Sequence, residues 1–378
     1  MNDKRGQLDR RKFLKFGAGA FGVGVASMFL PGLSGMAFAA SHPKNKALIE
    51  AAKKEGRLNA IALPPDWANY GKMIREFERL YGLRVHSASP DASSAQELQA
   101  VRSLKGQRRG PDVVDVGPSF ALAGVSEHLF QPYKVSTWDS IPDNMKDADG
   151  LWYGDYFGIE SFGVNRSVVK TSPRTWNDLL KPEYKGMVAL NGSPLGAGAA
   201  FGAVFAASLA NGGSLDDIGP GIEFFAKLAK AGNFNPSSAT SASLVSGQTP
   251  IVINWDYLNL AQAKKNKGMI EIDVLIAEDA APYGSFYCQA ISAYAPNPKA
   301  ARLWQEFLYS DAGQLIYLEG FAHPARFSDM VSRGVIPEHL LAQLPPAEPY
   351  KKAMFPSKAQ TEKAQNLLKS EWTKMVKV

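Results

Sequence analysis

The fold is decided by a stretch of alternating strands and helices that begins with Arg57-Leu58-Asn59-Ala60-Ile61-Ala62-Leu63. This apolar run predicts a buried strand, and Trp67 to Leu80 predicts an amphipathic helix. A second strand over Leu83 to Ser87, a helix over Ser93 to Leu104 and a third strand over Asp112 to Val116 follow. This order predicts a parallel, doubly wound α/β sheet, in which ligands bind beyond the carboxyl ends of the strands.

Further along the chain, the pattern predicts a second α/β unit and a return to the first. Tyr153 to Val164 reads as extended chain that leaves the first unit, and Phe286 to Tyr294 leads back to it. Two lobes joined by paired hinge strands enclose a cleft between their sheets. We expect lobe I over residues 40–160 with 285–320, lobe II over residues 161–284, and C-terminal helices that pack on the lobes over residues 321–378.

The first 39 residues predict a cleavable export signal. They begin with a basic stretch, continue through a glycine-rich apolar segment from Phe16 to Leu33 and end in Ala37-Phe38-Ala39, the small-x-small pattern of a signal peptidase site. The pair Arg10-Arg11 lies in a context that resembles the twin-arginine signal. We therefore expect the twin-arginine translocase to export a folded protein to the periplasm. The general secretory route and a permanent membrane anchor are the alternatives.

Charge and cysteine content exclude several classes of protein. The leader holds six Lys or Arg and two Asp, so +4 of the formal net charge of +6 belongs to it and the mature part carries only +2. This balance gives no reason to expect a nucleic-acid partner. Cys288 is the only cysteine of the 378-residue chain, which rules out an intrachain disulfide and a cysteine-based zinc site, and we expect its thiol to be buried.

Short motifs run in order through most of the mature chain. They are Glu55-Gly56-Arg57-Leu58, Phe77-Glu78-Arg79-Leu80-Tyr81-Gly82, Pro111-Asp112-Val113-Val114-Asp115-Val116, Gly163-Val164-Asn165, Thr175-Trp176-Asn177-Asp178-Leu179, Tyr184-Lys185-Gly186, Ser246-Gly247-Gln248 and Pro250-Ile251-Val252. In order and spacing they resemble the periplasmic solute-binding proteins that take up polyamines, 4-aminobutyrate, aminoethylphosphonate and ferric ion. The resemblance implies a type II periplasmic-binding fold, a monomer, and partnership with an ABC permease and its ATPase. It leaves the ligand open.

One candidate ligand contact lies on the loop after the first strand. In amine-binding members of the resembled family, the similar loop supplies an aromatic residue to the cleft, and here that residue is Trp67. A ring face attracts a bound ammonium by about 0.5–2 kcal/mol. The alternative is that Trp67 packs in the core of the first helix.

Two helix starts are candidate anion sites. Ser93 and Ser94 stand where free backbone N–H groups favour a carboxylate, phosphonate or phosphate, and Ser193 stands similarly before Gly196 and Gly198. Simple N-capping explains the first pair equally well, and helix packing explains the small residues of the second site.

The strongest candidate for amine recognition is Trp255-Asp256-Tyr257, which directly follows the apolar strand Ile251 to Asn254. At a strand's carboxyl end, an acid and two aromatic rings suit a cationic ligand. The alternative is that Asp256 caps the next helix. Tyr283 and Tyr287, near the return crossing, are further candidate lining residues.

A ferric-ion receptor and an exported enzyme are the competing functions. Asp66, Asp256, Tyr257 and Tyr287 offer hard ligands for iron, although no histidine occurs in the early cleft loops. The chain lacks a phosphate loop, a dinucleotide-binding glycine motif, a nucleophile elbow and a zinc-protease helix. We therefore expect a non-enzymatic receptor for a small amine-bearing solute, with no catalytic residue, no cofactor and no bound metal.

Overall fold

The computed structural model describes Pro43 and residues 45–377 of the chain. The predicted leader, residues 1–39, lies outside this described part. Among the described helices, none combines the length and the apolar character needed to cross a membrane.

Helices and strands alternate in the predicted order over residues 46–116, and several helices follow one another in the C-terminal part of the described chain. The helices are α1 (Lys46–Glu55), α2 (Tyr70–Tyr81), α3 (Ser94–Ser103), α4 (Pro118–Ser126), α5 (Gly198–Ala210), α6 (Gly219–Lys230), α7 (Ser241–Ser246), α8 (Asp256–Lys265), α9 (Pro298–Leu308), α10 (Asp311–Glu319), α11 (Phe327–Ser332), α12 (Glu338–Gln343), α13 (Ala347–Lys352) and α14 (Lys358–Met375). The strands are β1 (Arg57–Ile61), β2 (Arg84–Ala88), β3 (Val113–Val116), β4 (Phe130–Gln131), β5 (Tyr153–Asn165), β6 (Val188–Leu190), β7 (Phe234–Asn235), β8 (Ile251–Trp255), β9 (Ile272–Leu275), β10 (Gly284–Ser292) and β11 (His323–Pro324).

The first three strands do not form one wholly parallel sheet, because β1 and β2 pair with each other while β3 belongs to a larger sheet. Strands β1 and β2 pair in parallel, as predicted. Asn59 of β1 donates its backbone N–H to Asp112 Oδ2 at 2.6 Å and accepts the Asp112 N–H at 2.7 Å, which holds β1 beside β3. Strand β3 then pairs antiparallel with β10. The prediction of an all-parallel sheet was wrong here because β10 enters from the opposite end, as the chain returns from its second half.

Strand β5 belongs to two sheets and changes partner along its length. Up to Ile159 it pairs with β10, and from Glu160 it pairs with β8 and, further along, β9. Strand β8 continues in parallel to β6, which pairs with β7. Because of this change of partner, we use lobe I for residues 45–160 with 285–320 and lobe II for residues 161–284.

The C-terminal segment, residues 321–377, touches both lobes. Its helix α14 contacts α4 of lobe I and α6 of lobe II. The Trp372 ring of α14 lies 5.5 Å, between centroids, from the ring of Phe225 in α6. At the other end of the segment, β11 pairs with the lobe I part of β5. The segment therefore contacts both lobes.

Apolar side chains from both lobes form one continuous buried cluster. Cys288 lies within it on β10, opposite Val116 of β3, with no exposed surface. This confirms the prediction of a buried thiol, and burial raises its pKa well above the usual value.

Candidate functional site

A cleft of about 470 Å³ separates the two lobes. It lies at the carboxyl ends of β1, β2, β3, β6 and β8, where doubly wound sheets bind their ligands. Lobe I lines it from segments 62–67 and 90–97 with Asp115 and Tyr287, and lobe II lines it from segments 191–198, 238–244 and 252–262. A cleft of this volume is of the size that encloses a small organic molecule.

Trp67 lies in the cleft, as predicted from its loop. Ala68 and Asn69 adopt left-handed backbone φ angles of 44° and 63°, so α2 begins later than predicted and leaves Trp67 outside the helix. The indole N–H of Trp67 donates to the Tyr156 hydroxyl at 2.7 Å. Its ring meets the Tyr287 ring edge to face, with centroids 5.3 Å apart. These contacts fix the orientation of a ring that faces the ligand space.

Ser93 and Ser94 also line the cleft, at the start of α3. The Ser93 backbone N–H donates to Gln96 Oε1 at 2.8 Å within a capping box, and Ser94 Oγ accepts the Gly117 N–H at 3.2 Å. The capping alternative therefore describes Ser93, whereas the Ser94 hydroxyl bonds the backbone just before α4.

Ser193 lines the cleft from lobe II, before α5. Its hydroxyl accepts the Leu195 N–H at 3.3 Å. A Cβ added at Gly198 would lie 3.2 Å from Tyr287 Oη and 3.4 Å from Gly117 Cα. Glycine at the head of α5 thus allows the backbones of the two lobes to approach closely at the floor of the cleft.

Asp256, the strongest sequence candidate, does not line the cleft. Its side chain is buried, and its carboxylate accepts hydrogen bonds from the backbone N–H of Ile159, at 2.9 Å, and from the Tyr350 hydroxyl. The predicted placement was wrong because the start of α8 packs against β5 and the C-terminal segment. There the Ile159 N–H and the Tyr350 hydroxyl already occupy the carboxylate oxygens of Asp256.

The aromatic candidates divide between the cleft and the core. Trp255 and Tyr283 stack on each other with centroids 6.2 Å apart and lie outside the cleft lining, contrary to the prediction. Tyr257 is buried as well, and its ring packs 6.4 Å from Trp67. Tyr287 lines the cleft. Most of these rings therefore pack in the core near the hinge instead of facing the cleft.

Four carboxylates line the cleft, and only Asp66 among them was expected from the sequence, as a candidate iron ligand. Asp66 and Asp91 stand near its mouth, and Glu97 and Asp115 lie at its floor on the lobe I side. The described residues that line the cleft include no lysine, arginine or histidine. The sequence does contain a sign of Asp115. It is an acidic residue near the end of an otherwise apolar strand, and the carboxyl end of that strand faces the cleft.

Asp115 belongs to a buried network of acids and tyrosines. Its Oδ2 accepts hydrogen bonds from the hydroxyls of Tyr70, at 2.8 Å, and Tyr156, at 2.9 Å. The Tyr70 hydroxyl also lies 3.0 Å from Asp155 Oδ2, which accepts the Tyr317 hydroxyl at 3.1 Å. The Asp115 backbone N–H donates to Glu97 Oε2 at 2.8 Å. One Tyr70 proton serves only one of the two aspartates at a time. The Gln289 side-chain amide and the Tyr156 backbone N–H are further donors to Asp155.

Burial raises the pKa of these acids. For Asp115, desolvation and the neighbouring Asp155 carboxylate raise the pKa well above its usual value, while the Tyr70 and Tyr156 hydroxyls and the nearby Gln289 amide act in the opposite direction. Desolvation raises the pKa of Asp155 to about 7 and that of Asp256 to about 6. A cation that entered the cleft would favour the ionised form of Asp115 and so lower its pKa again.

An ion pair joins the lobes at the mouth of the cleft. Lys265 Nζ of lobe II lies 2.6 Å from Asp66 Oδ2 of lobe I, and both side chains are about half exposed. Deeper in the cleft, the Ala95 N–H donates to the Gly196 carbonyl at 3.3 Å. Contacts between the lobes thus occur both at the mouth and beside the floor.

Across residues 45–377, no group of three or more histidine, cysteine or acidic side chains is arranged to hold a metal ion. The four residues considered as iron ligands are also dispersed: Asp66 pairs with Lys265, Asp256 is buried at the hinge, and Tyr287 alone of the two tyrosines lines the cleft.

Comparison with known proteins identifies the family. The family model described as bacterial extracellular solute-binding protein matches residues 109–360. A periplasmic protein of Salmonella typhimurium, with a provisional name as a 2-aminoethylphosphonate-binding protein, is 32% identical over 171 residues, which cover 44% of this chain and 48% of that protein. The chain therefore matches about half the length of this curated relative.

Solved structures share the fold at low sequence identity. The periplasmic binding protein AfuA of Actinobacillus pleuropneumoniae, with fructose-6-phosphate bound, aligns with a TM-score of 0.67 and 17% identity over 85% of this chain and 99% of that one. Iron-bound HitA of Pseudomonas aeruginosa aligns with a TM-score of 0.62 and 17% identity over 83% and 97% of the two chains. The predicted type II periplasmic-binding fold is thereby confirmed. The chain belongs to the family of bacterial extracellular solute-binding proteins.

Proposed function

We propose that this protein is the substrate-binding component of an ABC importer, and that it captures a small amine-bearing solute between its lobes. The solute is of the polyamine, 4-aminobutyrate or aminoethylphosphonate type. The closed, liganded protein then delivers the solute to a permease driven by its ATPase. The proposal also includes export by the twin-arginine translocase, action as a monomer in the periplasm, and the absence of enzymatic activity.

The observation that carries this proposal is the charge of the cleft. Asp66, Asp91, Glu97 and Asp115 line it, without a cationic side chain among the described lining residues. A cleft lined by one sign of charge between low-dielectric walls attracts counter-ions. The rings of Trp67 and Tyr287 add surfaces that attract an ammonium group.

The lobe II wall offers neutral polar groups for the rest of the solute. Ser193, Thr240 and Ser241 present hydroxyls there, and Asn191 and Asn254 present amides. Such donors, with the backbone N–H groups at the start of α5, suit an acidic group at the far end of an amino acid or aminophosphonate. The provisional name of the Salmonella typhimurium relative supports aminoethylphosphonate as one member of this class.

A thermal-shift panel on the purified mature protein tests the proposal. Putrescine, spermidine, 4-aminobutyrate, aminoethylphosphonate, thiamine and ferric citrate are compared, because a ligand that binds only the folded state raises Tm. We expect at least one amine to raise Tm in a saturable manner. A shift with ferric citrate alone would assign the protein to the ferric-ion alternative, and turnover of a bound ligand would assign it to the enzymes.

A further inference from the structure

Two glycines face each other across the boundary between the lobes. Gly117 directly precedes α4 of lobe I, and Gly198 begins α5 of lobe II. A Cβ added at Gly117 would lie 3.3 Å from Gly198 Cα, and a Cβ added at Gly198 would lie 3.4 Å from Gly117 Cα. Carbon atoms in favourable contact are about 3.5–4.0 Å apart. The boundary therefore has no room for a methyl group from either side.

The backbone on each side of this contact is held in place by hydrogen bonds. The Gly117 N–H donates to Ser94 Oγ at 3.2 Å, and the Gly117 carbonyl accepts two N–H groups of α4, at 2.9 and 3.0 Å. On the other side, the Ala197 N–H donates to the Ser193 carbonyl at 2.8 Å, just before Gly198. Displacing either segment breaks such bonds. A methyl group at the contact is therefore accommodated by moving the lobes apart.

Two polar contacts across the same boundary are easier to displace. The ion pair of Lys265 and Asp66 is about half exposed, so water screens it. The hydrogen bond from Ala95 to Gly196, at 3.3 Å, is longer than the usual range of about 2.7–3.2 Å. Neither contact limits the approach of the lobes as two hydrogen-bonded backbones in direct contact do.

Tyr287 connects the glycine contact with the cleft. Its hydroxyl oxygen would lie 3.2 Å from a Cβ at Gly198. Its ring lines the cleft and meets the Trp67 ring edge to face. The distance between Gly198 and Tyr287 therefore decides how tightly the lobe II wall encloses a solute that lies against these two rings.

From this geometry we infer that the contact between Gly117 and Gly198 limits how far the lobes close, and that these two glycines thereby set the lifetime of the liganded form. Both are positioning residues in this account. The inference rests on the part of the proposed function in which two lobes enclose a solute. It adds which atoms of the protein determine the closed position.

A cross-link across the boundary tests the inference without a ligand. A Cβ at Gly196 would lie 3.7 Å from Ala95 Cβ, close to the spacing of about 3.8 Å found in disulfides. The double variant Ala95→Cys and Gly196→Cys therefore reports closure. Cys288 is the only native cysteine and is buried, so it does not compete for the new thiols. Oxidised glutathione serves as the oxidant, and mass spectrometry follows the intramolecular disulfide with time.

Alanine at either glycine should slow this cross-link. In the double-cysteine background, we expect Gly117→Ala and Gly198→Ala to reduce the rate about 3-fold or more each, and Gly198→Val about 10-fold or more, because larger side chains hold the lobes further apart. Gly219→Ala is the matched control at the start of α6, where the new Cβ meets only Asp217 of the same lobe. Equal rates in all these variants, or no cross-link in the parent pair, would overturn the inference.

Stopped-flow binding of 4-aminobutyrate and putrescine relates closure to capture. Gly117 is not among the described residues that line the cleft. Gly117→Ala should nevertheless raise the dissociation rate about 3-fold or more and leave the association rate nearly unchanged, because the solute enters before the lobes meet. Gly196→Ala adds a methyl group to the same boundary at an ordinary contact distance, so it should change neither rate.

The melting temperature excludes a folding defect. Gly198 has a helical backbone, and alanine favours a helix more than glycine does, so Tm of unliganded Gly198→Ala should equal or exceed that of wild type. A lower Tm together with unchanged cross-linking and dissociation rates would show that the glycines serve packing alone, and would overturn the inference.

The outcomes separate the inference from the proposed function. If no amine of the thermal-shift panel binds the wild-type protein, the proposed function fails, and the cross-linking rates still decide the inference. If an amine binds but the alanine variants cross-link and release it at wild-type rates, the inference fails and the receptor function stands.

Discussion

The Asp256 carboxylate accepts a hydrogen bond from the backbone N–H of Ile159 at 2.9 Å, at the point where β5 passes from lobe I to lobe II. The Tyr350 hydroxyl of the C-terminal segment donates to the same carboxylate. One buried acid therefore joins three parts of the molecule: the start of α8, the hinge strand and the C-terminal helices.

Asp256→Asn should destabilise the unliganded protein. An asparagine offers only one acceptor oxygen where two donors converge, so we expect a loss of about 1–3 kcal/mol in the free energy of unfolding near pH 5. Urea unfolding followed by circular dichroism measures this loss, with Asp216→Asn as an exposed control expected within about 0.5 kcal/mol of wild type. Unchanged stability together with abolished amine binding would restore Asp256 as the ligand's charge partner.

The comparison of Asp256 with Trp67 shows what local sequence predicts and what it does not. Both residues follow the carboxyl end of a strand, and that rule placed Trp67, Ser93, Ser94 and Ser193 correctly at the cleft. Asp256 also follows the end of a strand, but its side chain is buried away from the cleft. Its partner Tyr350 comes from a segment 94 residues away in sequence. Local patterns of strand and helix do not contain such a contact.

The order of the first strands and helices was predictable because local apolar patterns determine it. Periodicity located β1, α2, β2, α3 and β3 because each element buries its own apolar face. The antiparallel partner of β3 was not predictable, since β10 lies more than 160 residues further along and its direction depends on how the chain returns from lobe II. Asp115 was missed because it was counted within an apolar strand rather than at that strand's end.

The stability difference between wild type and Asp256→Asn should depend on pH. Desolvation raises the folded-state pKa of Asp256 to about 6, above its unfolded value. The folded protein then holds the proton more tightly, so the contribution of Asp256 is greatest at low pH and is lost as pH rises through about 6. We expect the substitution to cost about 2 kcal/mol more at pH 4.5 than at pH 7.5, from urea unfolding at both values. A larger cost at pH 7.5 would contradict this sign.

Amine binding should release protons. The pKa of free Asp115 is raised, and a bound cation lowers it again, so affinity for 4-aminobutyrate should increase as the pH rises. The ionisable groups that face Asp115 come from several elements: Tyr70, Glu97, Asp155, Tyr156, Tyr257, Tyr287, Cys288 and Tyr317. Titration calorimetry in two buffers of different ionisation enthalpy counts the protons, and proton uptake on binding would refute the expectation.

The ion pair at the cleft mouth should affect ligand release more than stability. Lys265 and Asp66 are both about half exposed, so Lys265→Gln should change the free energy of unfolding by less than about 1 kcal/mol. Loss of a contact that joins the lobes should raise the dissociation rate of the bound amine about 2- to 5-fold at low salt. Stopped-flow measurements should show this difference vanish at about 0.5 M salt, because salt screens exposed charges. A difference that persists at high salt would show that the Lys265–Asp66 ion pair does not slow ligand release through electrostatic attraction.

A crystal structure of the protein with bound 4-aminobutyrate, or with whichever amine raises Tm most, tests the central claim most directly. We predict that the ammonium nitrogen lies about 2.7–2.9 Å from a carboxylate oxygen of Asp115 and beside the Trp67 ring. An ammonium group paired with Asp256, or a ligand that does not contact Asp115, would contradict this account.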